Sequence, residues 1–362
     1  MTDDLRYAVL TEGMLLGASG KTAHGVLRFR PEQVTAVVDR AFAGRRVREV
    51  VPQLASDAPI VADVAEAVRL GANTLLVGVA TDGGRLPAAL RAPVLAAAAA
   101  GLGIVNGLHE LLGEDPEIAA CARAAGGWIR DVRLAPNDLR TFSGAAYETR
   151  SYVVFAVGSD CAVGKMTAVF ALERAARAAG VRAAVAPTGQ TGILIAGNGI
   201  AVDAVVSDFV GGAAERLVLE VARTADVVLV EGQASIVHPA YAAVTVGLLY
   251  GSAPDALVLC HRPGLERIAG FTVAIPPLDE LVRAHEELVA RVKPARVCAI
   301  ALDTAHLNAS AAAAAIDAAR RATGLPADDP VRSGGAALWQ AIADAWPATA
   351  KARQREREAV TP

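Results

Sequence analysis

Residues 158–167 set Gly158, Ser159, Asp160, Cys161, Ala162, Val163, Gly164, Lys165, Met166 and Thr167 between an apolar run and an alanine-rich stretch of helical composition. The order of strand, glycine loop and helix turns backbone N–H groups and the exposed amides of a helix N-terminus toward one point, where Lys165 adds a full positive charge. Such a P-loop binds phosphate oxygens. Two details depart from the usual pattern: five residues, not four, separate Gly158 from Gly164, and Met166 stands where a Ser or Thr hydroxyl would ligate magnesium. The loop is expected to hold a phosphate-bearing cofactor, with Lys165 a partly exposed charge and Thr167 the nearest hydroxyl able to serve a metal. Cys161, beside a helix N-terminus and a lysine, is a candidate nucleophile, although small residues in such loops mostly serve to fit.

Glu231 follows a later apolar run, 227–230, and His238 comes seven positions on. A carboxylate at a strand end facing a P-loop can hold a metal, orient a water or accept a proton; the plain alternative is a cap at a turn. His238 reads as a general base or as a hydrogen-bonded structural histidine. Thr188, Gln190 and Thr191, in the segment 187–192, offer hydroxyl and amide groups to a substrate, or else form a turn. Asp208 precedes a helix that it could simply cap. In the first half, Lys21 and His24 follow a glycine-rich bend and could clamp a carboxylate or phosphate from what is otherwise a solvated loop. The six histidines have no metal-ligand spacing, so no metal site is expected.

These side chains need a scaffold. Apolar, β-branched runs at 7–10, 47–51, 74–79 and 103–106 alternate with helical stretches at 61–70, 87–100 and 116–125. A breaker-rich segment, 136–150, reads as a linker. Alternation resumes with strands at 152–157, 182–186, 227–230, 256–260 and 297–302, and helices at 165–179, 213–223, 278–292 and 309–323. Strand and helix in strict turn imply an α/β protein with mostly parallel sheets, whose ligands bind beyond the carboxyl ends of the strands. The loops starting at 158, 187, 231, 260 and 303 should therefore converge.

At 362 residues the chain calls for two domains. Aromatics make up only 4% against 53% hydrophobic residues, so Ala, Val and Leu must fill the cores, which suits close packing of helices on sheets. The net charge of -3 gives no electrostatic case for nucleic acid or an anionic membrane, leaving small molecules and further copies of the chain as partners. Four scattered cysteines and a polar, acidic start fit a cytoplasmic protein. The stretch 232–254, free of Asp, Glu, Lys and Arg, is expected to be buried strand and loop, since its His, Pro and Gly residues suit a membrane span poorly.

The loop 158–165 together with Glu231-Gly232 resembles dethiobiotin synthetase. Over nearly its whole length, the chain resembles the bacterial and archaeal P-loop family that contains the D-glutamate N-acetyltransferases. The resemblance is carried by Lys21-Thr-Ala-His-Gly25, the loop 158–165, Thr188-Gly-Gln-Thr-Gly192, Asp208-Phe209, the segment 231–239 and Asp329-Pro-Val-Arg332, in that order. It implies a Rossmann-like amino-terminal domain and a P-loop NTPase-like carboxyl-terminal domain, which the linker divides into 1–145 and 146–350, while the alternating charges of 351–362 read as a tail. It also implies acetyl transfer from acetyl-CoA to a small D-amino acid, with Glu231 or His238 deprotonating the amine. Thioester chemistry needs no hydroxyl after the P-loop lysine, which agrees with Met166. An ATP-dependent ligase or kinase, with Glu231 and Thr167 serving magnesium, and a nucleotide-gated interaction protein are the alternatives.

Overall fold

The computed structural model describes residues 4–346. The charged tail expected at 351–362 lies outside the described residues. The chain forms two compact units: one takes the residues up to Pro136 together with Gln190–Ala204, and the other takes Asn137–Gly189 and the residues from Val205 onward.

The first unit is built on strands Tyr7–Leu10 (β1), Val34–Val38 (β2), Ile60–Val61 (β3), Thr74–Val77 (β4), Gly103–Asn106 (β5) and Trp128–Asp131 (β6). They form one sheet in the order β3-β2-β1-β4-β5-β6, parallel throughout, which is the strand order of dinucleotide-binding folds. Period-2 alternation divides β1 between two cores, Ala8 and Leu10 packing on one side and Tyr7 and Val9 on the other. The second of these cores also contains Ile193, Leu194 and Ala201, from a segment distant in sequence.

Several expectations for this half are corrected. The run 47–51 is not a strand; Val47–Val50 is one helical turn, closed by the Arg46 N–H donating to the Glu49 carboxylate at 3.0 Å. Val61 belongs to β3, and the helix expected from that point begins only at Val64, where Asp63 caps it. Lys21 and His24 do not sit in a solvated loop: they lie on the helix Lys21–Phe29, whose face toward the sheet buries Ala23, Val26 and Leu27.

The second unit is built on Tyr152–Gly158 (β7), Ala183–Ala186 (β8), Val227–Val230 (β9), Ala256–His261 (β10), Arg296–Leu302 (β11) and Ala327–Asp328 (β12), parallel in the order β12-β11-β10-β7-β9-β8. Every residue of β7 is buried, as expected of a central strand covered by helices on both faces. The stretch 232–254, expected as strand and loop, contains the helix Ala242–Ser252. Its residues are apolar around most of the circumference, so no helical stripe shows in the sequence. A Cβ on Gly251 would collide with the Gly211 backbone of the neighbouring helix Val210–Ala222, so the two helices approach at near-backbone contact. No described helix is long and apolar enough to cross a membrane.

Candidate functional site

All six strands of the second sheet run the same way, so their carboxyl ends share one edge. Register places β7 between β9 and β10, with Phe155 opposite Val230 and Gly158 opposite Cys260. The P-loop thus leaves the sheet flanked by the residue after β9, Glu231, and by the end of β10, His261.

The loop residues 159–164 lead directly into the helix Lys165–Ala178, whose N-cap, Gly164, adopts φ 92°. No side chain caps this helix, so its first amides are left to an anion. Ala162 lies at φ 53° and Ala234, three residues after Glu231, at φ 47°. Left-handed backbone costs a non-glycine residue roughly 1–2 kcal/mol, and here it shapes both loops of the site.

Lys165 is only 7% exposed, so the expectation of a partly exposed lysine is corrected. Its Nζ donates to the Asp160 carbonyl oxygen at 2.6 Å, drawing the loop around the ammonium. Burial pushes the lysine below its ordinary range, while Cys260, Cys161, Asp160 and Glu231 pull it back. The Asp160 carboxylate is 1% exposed and satisfied from two directions, Oδ1 accepting the Cys161 N–H at 2.6 Å and Oδ2 the Ala269 N–H at 2.9 Å. Ser159 is fully buried, its hydroxyl 2.9 Å from His261 Nδ1, and burial pushes His261 down to about 4. Met166 and Thr167 are both half-buried or better on the first helical turn.

Glu231 is 7% exposed and faces the loop after β8. Its Oε2 accepts the Thr188 N–H at 3.1 Å and the Gly189 N–H at 3.3 Å, while the Thr188 hydroxyl donates to the Glu231 carbonyl at 2.7 Å. Gln233 ties the two loops again through Nε2 to the Thr188 carbonyl at 2.7 Å. Gly232 is obligatory here, because a Cβ would collide with the Ala156 carbonyl of β7.

His238 is 3% exposed. The Ala240 N–H donates to its Nδ1 at 3.1 Å, so the neutral ring carries its proton on Nε2. Nε2 faces Asp160 Oδ1 at 3.7 Å, outside hydrogen-bond reach, and makes no hydrogen bond among the described residues. A ring nitrogen of His238, Cys161 Sγ and an Asp160 carboxylate oxygen all lie within 4.8 Å of one another. That triangle has the makings of a metal site, but a metal needs a lone pair and the hydrogen bond from Ala240 leaves an N–H on Nε2. In the neutral ring the same arrangement presents an N–H at Nε2. Tyr241 and Phe271 flank the imidazole with ring centroids at 4.7 and 5.3 Å, and both are exposed.

Asp329 and Arg332 brace a further loop of the same edge. Asp329 accepts the Thr304 N–H at 3.1 Å and its hydroxyl, and Arg332 Nε donates to that hydroxyl at 2.8 Å. Asp208 sits exposed in the short turn Ser207–Phe209, with no side-chain cap to the helix that follows.

The remaining candidates fall in the first unit. Lys21 is exposed at the start of its helix, and His24 Nε2 lies 2.7 Å from the Leu15 carbonyl, with burial lowering its pKa. Gln190 and Thr191 form the first turn of the helix Gln190–Ala196 rather than a loop, and the Thr191 hydroxyl pairs with that of Thr22 at 3.1 Å. Sequence reasoning did not find the Asp160–His238 approach, the Ser159–His261 pair or the two exposed aromatics. In a chain so poor in aromatics, Tyr241 three residues after His238 was the one available signal.

Comparison with known proteins agrees with this architecture. The family described as "Domain of unknown function (DUF1611_C) P-loop domain" matches residues 140–339, and its Rossmann-like DUF1611_N counterpart matches residues 40–135. A protein of Tritonibacter scottomollicae named D-glutamate N-acetyltransferase is 37% identical over 77% of this chain and 83% of its own length. One from a Pseudoalteromonas species with the same name is 33% identical over 75% of this chain and 81% of its own. The crystal structure of a DUF1611 family protein from Anabaena variabilis superposes with a TM-score of 0.89 at 37% identity, covering 94% of this chain and all of that one. The two matched domains, the fold and the identity over most of the length together establish that this chain belongs to the DUF1611 family.

Proposed function

We propose that this protein is an N-acetyltransferase that moves an acetyl group from acetyl-CoA to the amine of a small amino acid, with D-glutamate the leading acceptor. The observation that carries the reading is the name shared by two relatives at 37% and 33% identity over three quarters of the chain. The site residues support it. An uncapped helix N-terminus, a tight loop and a buried lysine suit the phosphates of CoA, and Met166 leaves out the hydroxyl that a magnesium nucleotide would use. When bound, acetyl-CoA supplies an activated thioester.

The amine must lose a proton before it attacks. Glu231 is the group best suited to take it, being an acceptor-only carboxylate held in place by two backbone amides at the edge of the P-loop. His238 contributes the N–H of Nε2, a donor suited to an oxygen that gains negative charge. Incubation of the purified protein with acetyl-CoA and a panel of D- and L-amino acids tests the reading, with free thiol and N-acetyl product measured together. CoA release that depends on an amino acid and is matched by its N-acetyl derivative is expected. No release with any member of a broad panel would remove acetyl transfer to amino acids from consideration.

A further inference from the structure

We infer that Cys161 carries the acetyl group during turnover, so that the reaction passes through an acetyl-thioester on the P-loop rather than by direct transfer. The inference rests on the acetyl-transfer reading and adds a covalent step to it.

Three observations point to Cys161. Its side chain is half-buried at the outer turn of the loop, open enough to meet a substrate, whereas Cys260 nearby is fully buried and its thiol is pushed up to about 12 by burial. It stands at the N-terminal end of the helix Lys165–Ala178, and the buried Lys165 ammonium acts on it electrostatically. The thiolate is the form that attacks a thioester. Finally, Cys161 Sγ belongs to the triangle with Asp160 and His238, in which the buried imidazole faces the loop with Nε2 3.7 Å from Asp160 Oδ1. An N–H held there, rather than a lone pair, suits a carbonyl oxygen becoming an oxyanion beside the sulfur.

The chemistry balances without a further reactant. Cys161 sulfur attacks the thioester carbonyl carbon, the bond from that carbon to the CoA sulfur breaks, and CoA leaves with the proton that the cysteine gave up. The deprotonated amine of the acceptor then attacks the acetyl-cysteine carbonyl. The carbon–sulfur bond to Cys161 breaks, the amide forms, and the amine's second proton returns to the thiolate or to solvent. Oxidation states do not change. The group retained on the enzyme between the two halves is one acetyl.

The test has two parts, both on the full chain. In the first, the protein is incubated with acetyl-CoA and labelled CoA but no acceptor. Label entering acetyl-CoA, and one acetyl group on the peptide that contains Cys161, are expected; neither arises by direct transfer. In the second, Cys161→Ser and Cys161→Ala are assayed with the acceptor, and acetyl-CoA binding is titrated in parallel. Turnover should fall by about a hundredfold or more with the acetyl-CoA dissociation constant little changed. A Cys161→Ala protein that keeps its turnover, with no exchange by the unmodified protein, overturns the covalent step and leaves acetyl transfer standing. If no acceptor supports CoA release, acetyl transfer to amino acids fails, and the exchange reaction still decides the role of Cys161 by itself.

Discussion

Lys165 closes the P-loop on itself: its Nζ binds the Asp160 carbonyl oxygen at 2.6 Å, and the loop buries the side chain. The lysine is therefore part of the loop's fold as well as its charge. Lys165→Ala should weaken acetyl-CoA binding roughly ten- to a hundred-fold, the range of one charge-assisted contact. It should also cost about 1–3 kcal/mol of stability, because a buried carbonyl loses its donor. Titration calorimetry and thermal unfolding read the two separately. Unchanged binding of every phosphate ligand tried would take the loop out of the binding site.

Glu231→Gln should lower turnover on the order of a hundredfold while leaving acetyl-CoA affinity almost intact. The amide keeps an oxygen for the Thr188 and Gly189 N–H groups, so the fold should survive. The rate of the unmodified protein should rise with pH through one ionisation, and that ionisation should vanish from the profile of the variant. An unaltered profile would move the base elsewhere.

The unmodified protein with ATP or GTP and magnesium should show no substantial hydrolysis, because Met166 occupies the hydroxyl position. Met166→Ser should strengthen magnesium-dependent nucleotide binding. ADP release by the unmodified protein that depends on an acceptor would favour a ligase or kinase instead.

Gly232→Ala should destabilise the protein by at least ~1–3 kcal/mol, since the new Cβ has the β7 carbonyl of Ala156 in its way. The strain falls next to Glu231, so activity should fall too. A variant with unchanged melting temperature would contradict the close approach of the two strand ends.

Acid should destabilise the fold through two histidines. Burial pushes His261 and His285 down to about 4 from an ordinary 6.5, and His285 Nε2 is buried with no hydrogen-bond partner. Between those values the unfolded chain binds protons that the native state refuses, so stability drops as pH falls from 6.5 toward 4 and then levels off. Each histidine adds about 1.4 kcal/mol per pH unit to that slope. His285→Leu should remove one share, measurable by denaturant titration across the window. An unchanged slope would mean that His285 takes up its proton as readily in the native protein as in the unfolded chain.

Much of this was legible in the sequence, and the exceptions share a cause. Five strands of the second sheet were readable because each centres on a short apolar run, and β7 through Gly158 announced the P-loop; β12, two residues long and half aspartate, was not read. Val47, Val50 and Val51 mimicked a strand, whereas the Val51 N–H donating to the Val47 carbonyl and the Arg46 amide donating to the Glu49 carboxylate close them into a turn. The helix Ala242–Ser252 was hidden because it is apolar on nearly every side, a property set by the glycine-lined contact with its neighbour rather than by local pattern. At the site, residue types were visible but their bonding was not. No spacing rule reveals that an amide two residues on fixes the proton of His238 on Nε2, or that Ala269, more than a hundred positions away, supports the Asp160 carboxylate.

The segment Gln190–Ala204 bears on how this protein can be dissected. It leaves the second unit directly after Gly189, one of the amides that hold Glu231, and carries Ile193, Leu194 and Ala201 into the core of the first unit before the chain returns. Cutting at the junction between Pro136 and Asn137 would thus yield an amino-terminal fragment with a hole in its hydrophobic interior. Its complement would carry a stranded apolar helix prone to aggregate. Neither fragment is a transplantable module, and any truncation meant to isolate the P-loop half must replace that excursion with a short linker.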